Sequence, residues 1–292
     1  MARSDWLLLM VLSLLWGGSF VFVELALTGL PVLSIVWGRV AMAAAMLAVA
    51  LWASGVAFPR RSSWPSLLVM GLLNNAIPFP LFVLAQGEIS AALASILNAT
   101  TPLFTVIMAH LTTADERLTP AKGLGLMLGF AGIVVMLGGV SGTGEVWAKL
   151  ACLAAAMSYA LASVWGRRFR RLGVPPLATA FGQVTASTLI LLPLWLWIDR
   201  PWTLPIPDAG VIGAMAGIAA LSTALAYLIF FRILASAGAT QLSLVTFLIP
   251  VSATAMGVAF LGETLLAHHL AGFALIAAGL LAIDGRFSRR HA

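Results

Sequence analysis

The stretch PVLSIVWGRV, residues 31–40, decides the fold, because a related stretch, PPLATAFGQV, occupies residues 175–184. A second pair follows in the same order. ALASILNATTP, residues 92–102, aligns with TQLSLVTFLIP, residues 240–250, and each stretch ends on a proline. Ordered matches at a near-constant offset indicate that the chain consists of two similar halves.

The composition is that of a chain solvated by lipid. Hydrophobic residues make up 61% of the sequence and charged residues 9%, whereas soluble domains carry roughly 25% charged residues. The formal net charge is +6, but the arginines occur in short clusters between apolar runs. Bilayer topology explains that pattern better than nucleic-acid binding, which we do not expect.

Apolar runs of membrane-spanning length fill the chain. A helix needs roughly 20 apolar residues to cross a hydrocarbon core of about 30 Å. Glycine, proline and charged residues divide the sequence into ten predicted spans, and the loops between them are too short for a soluble domain. The predicted spans cover residues 6–26, 32–53, 66–85, 91–111, 120–139, 147–165, 176–198, 209–231, 240–261 and 267–284.

The basic residues predict the orientation of these spans. The chain has 16 lysines and arginines. With the N-terminus inside, the outer segments and adjoining span ends hold only Lys149 and Arg200, and Arg39 is the only basic residue clearly inside a span. Cytoplasmic loops are enriched in lysine and arginine, so we expect both termini to be cytoplasmic.

The repeat and the orientation together predict the fold class. It is an all-α polytopic membrane protein with ten transmembrane helices in two five-helix repeats, residues 1–144 and 145–292. An odd number of spans per repeat inverts the second half relative to the first. Inverted repeats around a midplane site are the architecture of alternating-access transporters.

Several motifs resemble a known family. They are LSLLWGGSFVFVE at residues 12–24, a proline and Gly-Arg in the second span, and proline-bearing fourth and ninth spans followed by Asp-Glu or Gly-Glu. In this order they resemble the drug/metabolite transporter superfamily, EamA type. The resemblance implies a ten-helix inverted-repeat fold, a bacterial inner-membrane location and export or exchange of small metabolites. Within that group the chain is most similar to bacterial amino-acid exporters of the YddG type, which handle aromatic amino acids.

Polar and aromatic residues recur at equivalent places in the two halves and predict a central cavity. Polar groups inside hydrocarbon are costly, so each is a candidate for cavity lining or for bonding between helices. For serine and threonine, bonding between packed helices is the alternative explanation, and for the aromatic residues it is packing at helix interfaces or against lipid. The predicted cavity residues are Trp16, Asn75, Phe79, Asn98, Thr101, Tyr159, Thr223, Tyr227, Ser243 and Thr246.

Two further features have other expected roles. We expect Arg39 to pair with Glu24 near the outer end of the first span, with attraction of a substrate carboxylate as the alternative. Glycines in the fifth and tenth spans predict a close-packed scaffold rather than a part of the site. They are Gly125, Gly129, Gly132, Gly272 and Gly279.

The sequence favours a transporter over an enzyme. It contains no recognisable metal-ligand cluster, phosphate-binding loop or nucleophile–base pair, so no catalytic residue, metal or cofactor is predicted. The expected partners are a small-molecule substrate, an amino acid or similar metabolite, and the lipid bilayer, and a monomer is assumed. An exporter of lipophilic drugs or cations is the first alternative. A receptor or scaffold is the second, and it would leave the repeat unexplained.

Overall fold

The computed structural model describes residues 3–112, 119–137, 143–237, 242 and 245–284. Every regular element within these residues is a helix. The first half contains α1 (Arg3–Leu27), α2 (Val32–Ser54), α3 (Trp64–Gly71), α4 (Pro78–Gln86), α5 (Ala91–Asn98), α6 (Thr101–Thr112) and α7 (Pro120–Leu137). The second half contains α8 (Thr143–Gly166), α9 (Arg168–Arg171), α10 (Pro176–Leu194), α11 (Ala209–Ala219), α12 (Ala226–Ala237), α13 (Val245–Leu261) and α14 (Ala267–Asp284).

Seven helical segments are long and apolar enough to cross a membrane, and the chain is a multi-pass membrane protein. They are Ser4–Leu27, Val32–Ser54, Arg61–Gln86, Ala91–Thr112, Glu145–Arg171, Pro176–Asp199 and Ala209–Phe230. Three shorter apolar helices, Lys122–Val135, Leu248–Leu261 and Ala267–Gly279, fall on the remaining predicted spans. Large side chains such as Trp52 and Phe260 are more than 70% exposed, which suits a surface that faces lipid tails.

The third and eighth predicted spans each contain a π-helical segment. Leu72–Ala76 separates α3 from α4, and Ala220–Leu225 separates α11 from α12. The two segments occupy corresponding places in the two halves. Single π-helical turns change which side chains face a given direction, and they occur often at functional sites.

Proline affects the fourth and ninth predicted spans differently. Pro102 has no N–H to donate to the Asn98 carbonyl, and the span breaks between α5 and α6. The Thr101 hydroxyl donates to that carbonyl at 2.8 Å instead. Pro250, in contrast, lies inside the continuous helix α13. A proline inside a span is expected to interrupt its helix, and for Pro250 this expectation is wrong.

The glycine-rich helices α7 and α14 pack closely against each other, as expected. A Cβ added at Gly132 would lie 2.6 Å from the backbone oxygen of Gly272. One added at Gly279 would meet the backbone of Gly125 and Gly129. Because any side chain there would collide with backbone, these positions require glycine for close packing.

Candidate substrate cavity

A cavity of about 1700 Å³ lies between the two halves and is lined by residues of both. One region of its wall comes from the middle of the helices and includes Trp16, Phe79 and Tyr227. From there the wall continues along α6 and α8 to the arginine-rich segment 167–171. The cavity therefore reaches the end of the molecule where the basic loops lie.

Most of the predicted cavity residues meet at this space. Asn98 and Thr101 contribute from the break between α5 and α6, where Thr101 bonds to the Asn98 backbone. The predicted residues that line the cavity are Trp16, Phe79, Asn98, Thr101, Tyr159, Thr223, Tyr227 and Thr246. These eight side chains border one contiguous space, and that a substrate binds there stays a prediction.

Two of the predicted cavity residues are not among those that line the cavity. Asn75 is fully buried and lies behind the wall, close to Tyr227, while its neighbour Asn74 lines the cavity. Both residues belong to the π-helical segment Leu72–Ala76, whose wider turn changes the register relative to a regular α-helix. Ser243 lies outside the described residues.

Arg39 lies on the cavity wall and does not pair with Glu24. Its Nε–H donates to the Thr223 hydroxyl at 3.0 Å, and its guanidinium lies 3.9 Å from the centre of the Phe79 ring. Glu24 instead accepts from the Gln86 side-chain amide at 3.5 Å. The expected Arg39–Glu24 pair is therefore wrong, because α2 directs Arg39 toward the π-helical segment of the eighth span.

A neutral polar network shares the cavity lining with Arg39. The Asn74 amide donates to the Gln183 side-chain oxygen at 3.2 Å and approaches the Tyr227 hydroxyl at 3.4 Å. Gln183 is the residue that aligns with Arg39 between the two repeats, and it also lines the cavity. The repeat thus places one charged and one neutral side chain at equivalent positions of the same wall.

Thr223 holds Arg39 through the geometry of its π-helical segment. The Thr223 hydroxyl donates to the carbonyl of Ile218, five residues earlier, at 2.9 Å. Its oxygen then accepts the Nε–H of Arg39. A threonine that donates to one partner and accepts from the other fixes the direction of the guanidinium.

Aromatic side chains form the apolar part of the wall. Trp16 contacts Phe230 with ring centroids 5.7 Å apart, and Phe82 contacts Tyr159 at 6.0 Å. All four residues line the cavity. Such rings offer large, rigid apolar surfaces for a substrate, and the tyrosine adds a hydroxyl.

The charge of the lining has one sign. Five arginines contribute to it, Arg39 in the middle and Arg167, Arg168, Arg170 and Arg171 at the basic end. No aspartate or glutamate occurs among the described residues of the lining. A cavity lined by one sign of charge concentrates ions of the opposite sign, so this one favours anions and disfavours cations.

The opposite end of the bundle carries a carboxylate clamp formed by Glu263. Its two carboxylate oxygens accept from the backbone N–H groups of Ala91, at 2.6 Å, and Ala92, at 3.0 Å, in the first turn of α5. An anion at a helix N-terminus satisfies unpaired N–H groups and interacts favourably with the helix dipole. A Cβ at Gly257 would collide with the Glu263 carboxylate, so the glycine makes room for the clamp.

Among the cavity residues that the sequence reasoning missed are Gln183, Arg39 and Asn74. Gln183 and Arg39 were visible as an aligned polar pair in apolar spans, but the guanidinium was assigned to a structural pair. Asn74 could not be separated from Asn75 without knowing the π-helical turn. For Arg39 and Gln183, a polar side chain well inside a span was the available signal.

Comparisons with known proteins agree with this architecture. A family model described as the EamA-like transporter family matches residues 4–138 and 146–283. Similar proteins include the uncharacterized transporter YvbV of Bacillus subtilis, 28% identical, with 98% of this chain and 93% of the relative covered. The uncharacterized inner membrane transporter YedA of Escherichia coli K12 is 25% identical, with coverage of 88% and 83%.

Two further likenesses extend the comparison. Protein PecM of Dickeya dadantii is 25% identical, with 77% of this chain and 75% of the relative covered. A crystal structure of a protein at 22% sequence identity superposes with a TM-score of 0.69 over the full length of both chains, which supports the fold. With family-model matches over most of its length, the chain belongs to the EamA-like transporter family.

Proposed function

We propose that this membrane transporter moves small amphipathic metabolites, amino acids including aromatic ones among them, out of the cell. The observation that carries the proposal is the cavity between the halves, with aromatic walls and a few fixed hydrogen-bonding groups. An aromatic or aliphatic side chain fits against Trp16, Phe230, Phe82 and Tyr159. The polar backbone part of an amino acid fits the network around Arg39.

The proposed mechanism is alternating access, and the one-sided opening of the cavity supports it. Its wall includes Arg167–Arg171 at one end. Among the described residues, none of the lining comes from the loops 28–31, 87–90, 200–208 or 262–266 at the other end. The Glu263 clamp joins the loop after α13 to α5 at that closed end. Release on the far side then requires the clamp to open.

The proposed topology has ten spans, cytoplasmic termini and two inverted repeats, residues 1–144 and 145–292. The distribution of basic residues supports it, and so do the two separate family-model matches, one within each half. With this orientation the cavity opens to the cytoplasm. We also propose that the protein lies in the inner membrane, as the name of YedA says of that relative, and that it is a monomer.

The positive charge of the cavity argues against the alternative function, export of lipophilic cations. A lipophilic cation would meet five arginines and no carboxylate in the described lining. Cations are therefore disfavoured on entry and in the middle of the cavity. A receptor or scaffold gives no reason for a water-accessible space of this volume.

Counterflow in proteoliposomes tests the proposal. Proteoliposomes that contain the purified protein are loaded with an unlabelled amino acid. Uptake of radiolabelled phenylalanine, leucine and a lipophilic cation such as tetraphenylphosphonium is then measured. We expect several neutral amino acids to be taken up and to compete, because one methylene in an apolar pocket discriminates by only about 1–3 kcal/mol. Uptake of the cation alone, or of none of these compounds, would overturn the proposal.

A further inference from the structure

We propose that Arg39 and the polar groups around it form a binding site for the carboxylate of the transported molecule, and that no group in the site requires its amine. The inference deepens the proposed function and rests on it. It identifies the chemical class of the substrate as a monocarboxylate with an apolar body. It also makes carboxylate analogues without an amino group substrates of the same site.

The protein contacts of Arg39 hold its guanidinium in place and leave its terminal amino groups able to bind a ligand. Among the described residues, its one hydrogen bond runs from Nε to Thr223, and one face of the group covers Phe79. The terminal amino groups have no protein acceptor in the part of the chain that the structure describes. Two parallel N–H groups of an arginine match the two oxygens of a carboxylate.

The charge of Arg39 has no counter-ion among the described residues. No described carboxylate lies within 4.0 Å of it, and the ion pair that the structure shows, Lys149 with Glu145, is elsewhere. A cation within the membrane without a partner is unfavourable, and such residues mark substrate pathways. A carboxylate from a ligand would supply the missing charge and leave the contacts to Thr223 and Phe79 intact.

The surrounding groups limit the ligand to a single negative charge. Gln183, which occupies the equivalent position of the other repeat, is neutral, as are Asn74, Thr223 and Tyr227. A phosphate dianion or a diphosphate would have at least one charge left without a cation at this level. The other arginines of the lining lie at the basic end of the cavity.

The same inventory explains why the amine is not needed. The strongest partners of an ammonium group in proteins are carboxylates and cages of aromatic faces. The described lining contains no carboxylate, the face of Phe79 is already covered by Arg39, and the rings of Trp16–Phe230 and Phe82–Tyr159 pack against each other in pairs. The apolar remainder of the molecule lies against the pairs Trp16–Phe230 and Phe82–Tyr159.

Four ligands that share one phenyl group separate the contributions. They are phenylalanine, 3-phenylpropionate with only the carboxylate, phenethylamine with only the amine, and uncharged 3-phenylpropanol. Binding to purified protein and inhibition of counterflow are measured for the wild type, Arg39→Gln and Arg39→Lys. The matched control is Arg60→Gln, since Arg60 is exposed and not part of the lining.

For the wild type we expect phenylalanine and 3-phenylpropionate to bind with similar affinity and phenethylamine to bind worst. Arg39→Gln should weaken both carboxylates by about 10-fold or more, the scale of a lost charged hydrogen bond, and leave 3-phenylpropanol unchanged. Arg39→Lys should restore part of the loss. Thr223→Val, which frees the guanidinium, should weaken carboxylates less than Arg39→Gln.

The outcomes separate this inference from the proposed function. If the wild type transports phenyl compounds but Arg39→Gln, folded by size-exclusion chromatography and melting temperature, binds carboxylates normally, the inference is overturned and transport stands. Equal binding of phenethylamine and 3-phenylpropionate by the wild type would also overturn the inference and leave the proposed transport function standing. If the wild type neither binds nor transports any of the four compounds, the proposed function fails, and this inference fails with it.

Discussion

Replacing Glu263 with glutamine should favour opening of the end of the cavity that the clamp closes. The carboxylate accepts from the N–H groups of Ala91 and Ala92. Each N–H bonds a different carboxylate oxygen, so Glu263→Gln in the same orientation puts an NH2 group opposite one of them, keeps the other bond and removes the charge at the start of α5. A hydrogen bond to a charged group contributes about 1.5–3 kcal/mol, and an anion at a helix N-terminus about 0.3–2 kcal/mol.

We therefore expect the clamped state to lose roughly 2–3 kcal/mol relative to the open one, a change of about 30- to 150-fold in the equilibrium between them. Cysteine accessibility measures this equilibrium. The single native cysteine, Cys152, is replaced by alanine, and Val23→Cys places a thiol on the cavity wall toward the clamped end. A membrane-impermeant maleimide added outside intact cells then reports opening on that side.

Labelling should be slow with Glu263 in place and much faster in Glu263→Gln. Gly257→Ala should act in the same direction, because its methyl group collides with the Glu263 carboxylate. Glu88→Gln is the matched control, since Glu88 is exposed in the loop before α5 and its side chain shows no hydrogen bond to α5 among the described residues. An unchanged labelling rate in Glu263→Gln, or an equal increase in Glu88→Gln, would refute the clamp.

Three other predictions concern the helices, the topology and the coupling. Asn98→Leu should abolish most transport at normal membrane expression because it narrows the cavity. Gly129→Leu should instead lower the yield of folded protein, because even a Cβ there reaches the Leu103 side chain. Normal transport by Asn98→Leu together with a normal yield of Gly129→Leu would contradict the assignment of these helices. Reporter fusions at Arg171 and at the C-terminus should report the cytoplasm, and one at Glu145 the outside; a C-terminus found outside would contradict the inverted repeat. Proteoliposome uptake should proceed down a substrate gradient without an imposed pH gradient, because no carboxylate occurs in the described lining; strict proton dependence would point to Glu24.

The sequence was sufficient for an all-helical membrane fold and for bringing eight predicted side chains to one cavity, because both depend on regular periodicity. Asn98 and Thr101 lie on one face of a span, and the repeat relates Phe79 to Tyr227, so spacing alone brought them together. Asn75 shows where regularity ends. A π-helical turn adds a residue to the local turn, and nothing in the letters Leu-Leu-Asn-Asn-Ala requires it.

Arg39 shows a second limit. From the sequence, Glu24 was an available carboxylate at a similar depth. Charged side chains within a membrane usually pair with each other, because an unpaired charge there costs free energy. The direction of a side chain depends on the packing of three helices, and this packing turns Arg39 toward Thr223 and Phe79. Contacts between distant segments of the chain are not encoded in local spacing.

The measurement that tests the central claim most directly is the accessibility of Thr101→Cys in the Cys152→Ala background. Thr101 lines the cavity at the helix break, so the account predicts that a small hydrophilic thiol reagent reaches the cysteine. Its modification should block counterflow of phenylalanine, and phenylalanine should slow the modification. A cysteine that reacts without loss of transport, or that the substrate does not protect, would contradict a route through this cavity.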